Sequence, residues 1–265
     1  MADAICYGPL QLSCAAGLLT VAVALAGCGA HMTGHTTSAT GHAPATHEPA
    51  LPIEQLVPTT DDMSQVLGSA MKRSLAESSP DIRQLPDGIG DTTPAACVGA
   101  KEAGMRQTYA HAPVTATQIQ WWDTRSDNGN LFPRPNFHVD AAVVELSTAA
   151  AAQSLYQQFV TQWQKCQLTP IVEHDVGTVG TTFTDQITTV SETAGLLTAV
   201  DMQSTDNRYG VHDDPEPIER AVAISGRFLI DVHLVNNDGL LRGVIPPEHA
   251  TAVAKLIVSQ IISNT

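Results

Sequence analysis

The chain has 265 residues, 27 acidic against 13 basic, a formal net charge of −14, and 43% apolar residues. The apolar share is enough for one packed domain of about 200 residues. The charge repels phosphate backbones and anionic lipid surfaces, which excludes nucleic acid as a partner and leaves any membrane attachment to another device.

The first segment is apolar. Residues 14–27, CAAGLLTVAVALAG, carry no charge. As a helix they reach roughly 20 Å against a hydrocarbon core of about 30 Å, short for a membrane anchor and suited to the apolar region of a signal peptide. Ala26 and Gly27 place small side chains just before Cys28. Leu25-Ala26-Gly27-Cys28 resembles the lipobox of bacterial lipoproteins, which implies cleavage before Cys28 and a lipid on its sulfur. Residues 1–13 hold Asp3 and no Lys or Arg, unlike most signal peptides. An uncut anchor and a buried apolar helix are the other readings of the run.

Of the five cysteines, Cys6 and Cys14 would leave with residues 1–27, and Cys28 would take the lipid. Cys97 and Cys166 remain. An oxidising compartment would join them, and two separate buried thiols are the alternative. Residues 28–54 are rich in Thr, Ala, Gly, Pro and His and nearly lack large apolar side chains, so they read as a flexible tether. Its His31, His35, His42 and His47 could hold zinc or copper weakly, though a solvated linker explains them as well.

Order is expected from residue 55 to 265. Thr59-Thr60-Asp61-Asp62 can cap a short helix with Met63, Val66 and Leu67 on one face and Gly68 at its end. Residues 72–95 read as loop, and Cys97 opens a short helix or turn reaching Tyr109. TATQIQWWDT (115–124) and FHVDAAVVEL (137–146) read as strands around an Asp127-Asn128-Gly129-Asn130 turn. Ser147 or Thr148 caps a helix whose Leu155, Tyr156, Phe159, Val160, Trp163 and Cys166 share one face. Strands follow at 181–189, 196–203, 220–225 and 227–235, then a helix from Pro246-Pro247-Glu248 that buries Ala250, Val253, Ala254, Ile257 and Ile261. Strands so close in sequence join most easily as antiparallel hairpins. The fold class is therefore α+β, an antiparallel β-sheet flanked by helices.

Pro94-Ala-Ala-Cys97-Val-Gly, the strand AAVVELST leading to a helix that ends Trp163-Gln-Lys-Cys166, and the strand pair RAVAISGRFLIDVHLV before the last helix form a familiar order. It resembles the PknH-like extracellular sensor domain, found in a mycobacterial kinase and in many mycobacterial lipoproteins. The resemblance implies a disulfide between Cys97 and Cys166, a central cleft for an unidentified ligand, and a place on the outer face of the cell membrane. It does not extend to kinase chemistry: no His-Arg-Asp, Asp-Phe-Gly or Gly-rich loop is present.

No enzyme signature appears: no Gly-x-Ser-x-Gly, His-Glu-x-x-His or phosphate loop. A calcium loop at Asp123 to Gly129 fails because Arg125 and Arg134 stand where ligands belong, and Asp213-Asp214-Pro-Glu216 reads as a solvated loop with weak calcium binding as the lesser alternative. Residues two apart in a strand share a face, so His138 pairs with Asp140, and Asp231 with His233. These four could line a polar ligand cleft, form the watered face of a sheet, or hold a metal. Trp121 and Trp122 face opposite sides; one is core, and Trp122 is taken as the one free to stack on a sugar or lipid.

The expected function is a lipid-anchored, extracytoplasmic, non-catalytic sensor. It would need no cofactor and would bind a small molecule, an envelope component or a membrane protein partner. An envelope hydrolase or transferase with an unrecognised site is the rival, and a structural adaptor is a third class.

Overall fold

The domain is built around nine strands that form one antiparallel sheet, ordered β1-β3-β4-β9-β8-β7-β6-β5-β2. In chain order these are β1 (Met71–Ser79), β2 (Asp91–Thr93), β3 (Val114–Thr124), β4 (Phe137–Leu146), β5 (Pro170–Val176), β6 (Thr181–Thr193), β7 (Leu196–Asn207), β8 (His212–Ser225) and β9 (Phe228–Asn236). The helices are α1 (Thr60–Leu67), α2 (Val98–Lys101), α3 (Arg106–Tyr109), α4 (Ala149–Cys166) and α5 (Glu248–Asn264). This is a computed structural model, and it describes residues 52–79, 81–87, 89–125, 135–176, 180–207, 209–210, 212–237 and 247–264. The expected signal peptide, Cys28, the histidines of the tether and the turn at 127–130 lie outside the described residues.

Strand periodicity divides the central strands between two cores. On β9, Phe228, Ile230, Val232 and Leu234 enter one core with Val139, Ala141 and Val143 of β4, beneath α1 and α5. Leu229 of β9 enters the other core with Val144 and Leu146 of β4, beneath Tyr156, Phe159 and Trp163 of α4. Each large apolar side chain so buried contributes about 1.5–3 kcal/mol. Among the described residues no helix is long and apolar enough to cross a membrane.

The helix ends follow local chemistry. Thr59 Oγ1 accepts from Asp62 N at 3.2 Å and Asp62 Oδ2 accepts from Thr59 N at 3.0 Å, a reciprocal capping box. Gly68 ends α1 in the left-handed region, φ 63°. Thr148 Oγ1 accepts from Ala151 N at 3.1 Å and caps α4. The start of α5 is capped from the sheet: Glu219 Oε2 on β8 accepts from Ala250 N at 2.9 Å.

Cys97, just before α2, and Cys166, the last residue of α4, form a disulfide. The alternative of two free thiols is therefore set aside.

Three expectations need correction, and one strand was not foreseen. Residues 72–95 are not all loop: β1 pairs with β3, and β2 pairs with β5. Both are edge strands, and MKRSLAESS and DTT have no clean apolar alternation, so the usual strand signal is missing. Pro170–Val176 is a separate strand, and its proline occupies the first position, where a missing N–H is tolerated. Asp213, Asp214 and Glu216 are not in a loop but in the exposed first half of β8. Order also begins before residue 55, because Ile53 is already buried in the first core.

A candidate ligand cleft

The helix α4 covers only part of its face of the sheet. Elsewhere the inward side chains of the same strands turn polar: His138 and Asp140 on β4, Asp231 and His233 on β9, Arg220 on β8, Asp201 on β7, Asp185 on β6 and Glu173 on β5. The segment from Cys97 to Tyr109, tied to α4 by the disulfide, lies across this polar area. Two glycines allow the approach. A Cβ on Gly99 would fall 2.7 Å from Thr108 Cγ2, and Gly104 has a φ of 70°. Gly99 O accepts from Trp163 Nε1 at 3.1 Å and from an Arg220 Nη2 at 3.2 Å.

Part of the polar area is sealed. Lys101 Nζ stands 2.8 Å from Glu173 Oε2 and 3.1 Å from Asp185 Oδ2. Burial, reinforced by Asp185, pushes the carboxyl of Asp201 well above the ordinary range, which favours its protonated form. Beside it Arg220, fully buried, donates to Asp231 Oδ1 at 3.0 Å and to the carbonyls of Gly99, Ala100 and Val232. Asp231 Oδ2 accepts from Tyr109 Oη at 2.6 Å and from Gly104 N at 3.2 Å. Burial and Asp231 raise the Tyr109 hydroxyl well above its ordinary range, which keeps it a donor.

The rest is open. A cleft of about 250 Å³ is lined by Glu102, Met105, Ile119, Trp121, His138 and Asp140, among others. His138 Nδ1 hydrogen-bonds Asp123 Oδ1 at 2.7 Å, and its Nε2 stands 3.0 Å from Asp140 Oδ1. Asp140, with Asp123 beyond it, outweighs burial and pushes His138 up to about 9, so it is a cation at neutral pH. Burial alone would raise Asp140, but His138 and His233 hold it below the usual carboxylate range. His233 lies between two carboxylates, with Nδ1 3.2 Å from Asp140 Oδ2 and Nε2 3.3 Å from Glu102 Oε2. Trp121 completes the wall, in edge contact with His138 at 6.2 Å between ring centroids.

Three of the expected ligand residues therefore meet: His138, Asp140 and His233. Asp231 does not join them; it is the buried counter-ion of Arg220. Trp122 is also misplaced by the expectation. It is fully buried in the core beneath α1 and α5, and Trp121, its neighbour on the opposite face, reaches the cleft. Sequence reasoning missed Glu102 and Asp123. The alternation Trp121-x-Asp123 could have revealed the second. Nothing in AKEAGM marks the first.

The fold and cleft define a class: an α+β domain whose nine-stranded antiparallel sheet bears helices on both faces and a polar hollow on one. Residues 49–264 match the PknH-like extracellular domain, and the chain belongs to that family. The extracellular domain of PknH from Mycobacterium tuberculosis has the same fold, with 18% identity, a TM-score of 0.62, and coverage of 81% of this chain and 98% of that one. A crystallised protein from Mycobacterium smegmatis, the Rv0999 ortholog, is more distant at 12% identity and a TM-score of 0.34, over 82% of this chain and 98% of that one. No curated protein matches the sequence. Membership in a family of extracellular domains fits an extracytoplasmic sensor role.

Proposed function

We propose that this chain is a lipid-anchored sensor on the outer face of the cell membrane, and that it binds a small polar molecule or envelope fragment without transforming it. The observation that carries this reading is the cleft itself: an aromatic wall, Trp121, beside fixed charges at His138, Asp140 and Glu102. An indole face suits a sugar ring, and the carboxylates accept from hydroxyls or amines. The anchor would be Cys28. A lipid there would hold the acidic domain at a surface that its charge alone would avoid.

The test is mass spectrometry of the mature protein, purified natively from a mycobacterial host, for acyl mass at Cys28 and for co-purifying small molecules. The expected result is a chain starting at lipidated Cys28 with a bound molecule that is lost in Trp121→Ala. An unprocessed chain removes the anchor. The same bound set in wild type and Trp121→Ala removes the cleft as the binding site.

A further inference from the structure

Three atoms at and beside the cleft share an unusual condition. Glu102 Oε2, Asp140 Oδ1 and His233 Nδ1 are buried and have no hydrogen-bond partner among the described residues. Each nonetheless has a charged or polar neighbour close by. Glu102 Oε2 stands 3.3 Å from His233 Nε2, His233 Nδ1 stands 3.2 Å from Asp140 Oδ2, and Asp140 Oδ1 stands 3.0 Å from His138 Nε2. The contacts are within ion-pair distance, yet they leave these three atoms without a hydrogen bond of good geometry. Buried polar groups are normally satisfied. Two carboxylates converging on one imidazole also form a donor set that a shared cation can use.

We propose that Glu102, Asp140 and His233 bind one divalent transition-metal ion of the zinc class. Each offers a ligand atom, and these atoms lie within 4.8 Å of one another. Tetrahedral zinc with bonds of about 2.1 Å sets its ligand atoms about 3.4 Å apart, so modest side-chain rotation closes the set. An imidazole nitrogen with two carboxylates suits zinc; calcium and magnesium favour all-oxygen sites.

The surroundings support the set. His233 has only 8% of its side chain exposed and is fixed on the central strand β9. His138 is anchored by Asp123 and stands beside Asp140 Oδ1, as a positioning residue for a ligating carboxylate. Of the nearby cations, Arg220 is already engaged by Asp231 and three carbonyls, and His138 is shared between Asp123 and Asp140. Three protein ligands leave at least one coordination position, and Glu102 and Asp140 both line the cleft. The inference deepens the reading of the cleft as the binding site and rests on it: a bound molecule could complete the metal's shell.

The test uses the full mature chain with His31, His35, His42 and His47 changed to Gln, so that the tether contributes no imidazole. After chelator treatment, zinc uptake is measured by equilibrium dialysis, and Co²⁺ is added to read visible d–d absorption. The expected result is one Zn²⁺ per chain and cobalt bands of low coordination number. Glu102→Gln should weaken uptake at least tenfold, and His233→Asn and Asp140→Asn should abolish the bands. Glu102 is partly exposed, so its variant should keep the wild-type melting profile. No zinc uptake, or uptake indifferent to Glu102→Gln, overturns the proposal. If zinc fails while the Trp121-dependent molecule still co-purifies, the metal falls and the cleft stands. If zinc binds and no molecule does, the cleft reading falls and the metal stands.

Discussion

Removal of the Asp231 carboxylate tests the division between sealed network and open cleft. In Asp231→Ala, Arg220 keeps its carbonyl acceptors on Gly99, Ala100 and Val232 but loses its only described carboxylate partner. Breaking a buried ion pair from one side costs about 3–5 kcal/mol. The three carbonyls, with the Trp163 ring 5.3 Å from the guanidinium carbon, place this case at the lower end. The Tyr109 hydroxyl, which donates to Asp231 at 2.6 Å, is then buried without an acceptor, a further cost of about 1 kcal/mol. The total is about 4 kcal/mol. For a domain of about 200 residues this lowers Tm by about 8–16 °C. Urea unfolding followed by tryptophan fluorescence measures it, since Trp122 and Trp163 are fully buried. Asp231→Asn keeps an acceptor for Tyr109 and should fall between wild type and Asp231→Ala. A loss below 1 kcal/mol for Asp231→Ala would refute the assignment and return Asp231 to the list of ligand residues.

Other perturbations follow from the same geometry. The disulfide joins residues 69 apart, so its reduction should cost about 4 kcal/mol on the chain-entropy model, read as a drop in Tm with and without reductant. In metal-free protein, NMR should find His138 titrating near pH 9. A raised folded pKa stabilises below the unfolded value of 6.5, and that gain is lost as pH rises through about 9. With the side chain one-third exposed and screened, the loss should be about 1–2 kcal/mol, and it should vanish in His138→Gln. Asp201 also has a raised pKa, so its protonated form stabilises most at acid pH, and the gain falls as pH climbs from about 4 through the folded value. Asp201→Asn should flatten that decline in pH-dependent urea unfolding.

The central fold was legible because its signals are local. FHVDAAVVEL alternates toward two cores, and it is a strand over the expected residues. The stripe Leu155, Tyr156, Phe159, Trp163 and Cys166 is the buried face of α4. The two edge strands were not legible. An edge is held by backbone hydrogen bonds on one side, and the sequence of β1 gives no apolar alternation to announce that pairing. The resemblance supplied what periodicity could not, the disulfide between Cys97 and Cys166.

The site shows where periodicity stops. Asp140 and Asp231 looked equivalent: each sits two residues from a histidine in a strand and on the face opposite an apolar row. Their registers separate them. Asp140 stands opposite His233, whereas Asp231 stands opposite Ala142, two residue pairs further along the same two strands. That step carries Asp231 beneath the loop bearing Gly104 and Tyr109, both of which bond to it. Asp140 remains in the cleft. Alternation fixes a face, but position along the face depends on strand pairing and on the loop that the disulfide pins across it. Glu102 belongs to that loop, which is why no strand pattern pointed to it. A sequence reading of such a domain must therefore take its candidates from the strands and from the disulfide-tied segment together.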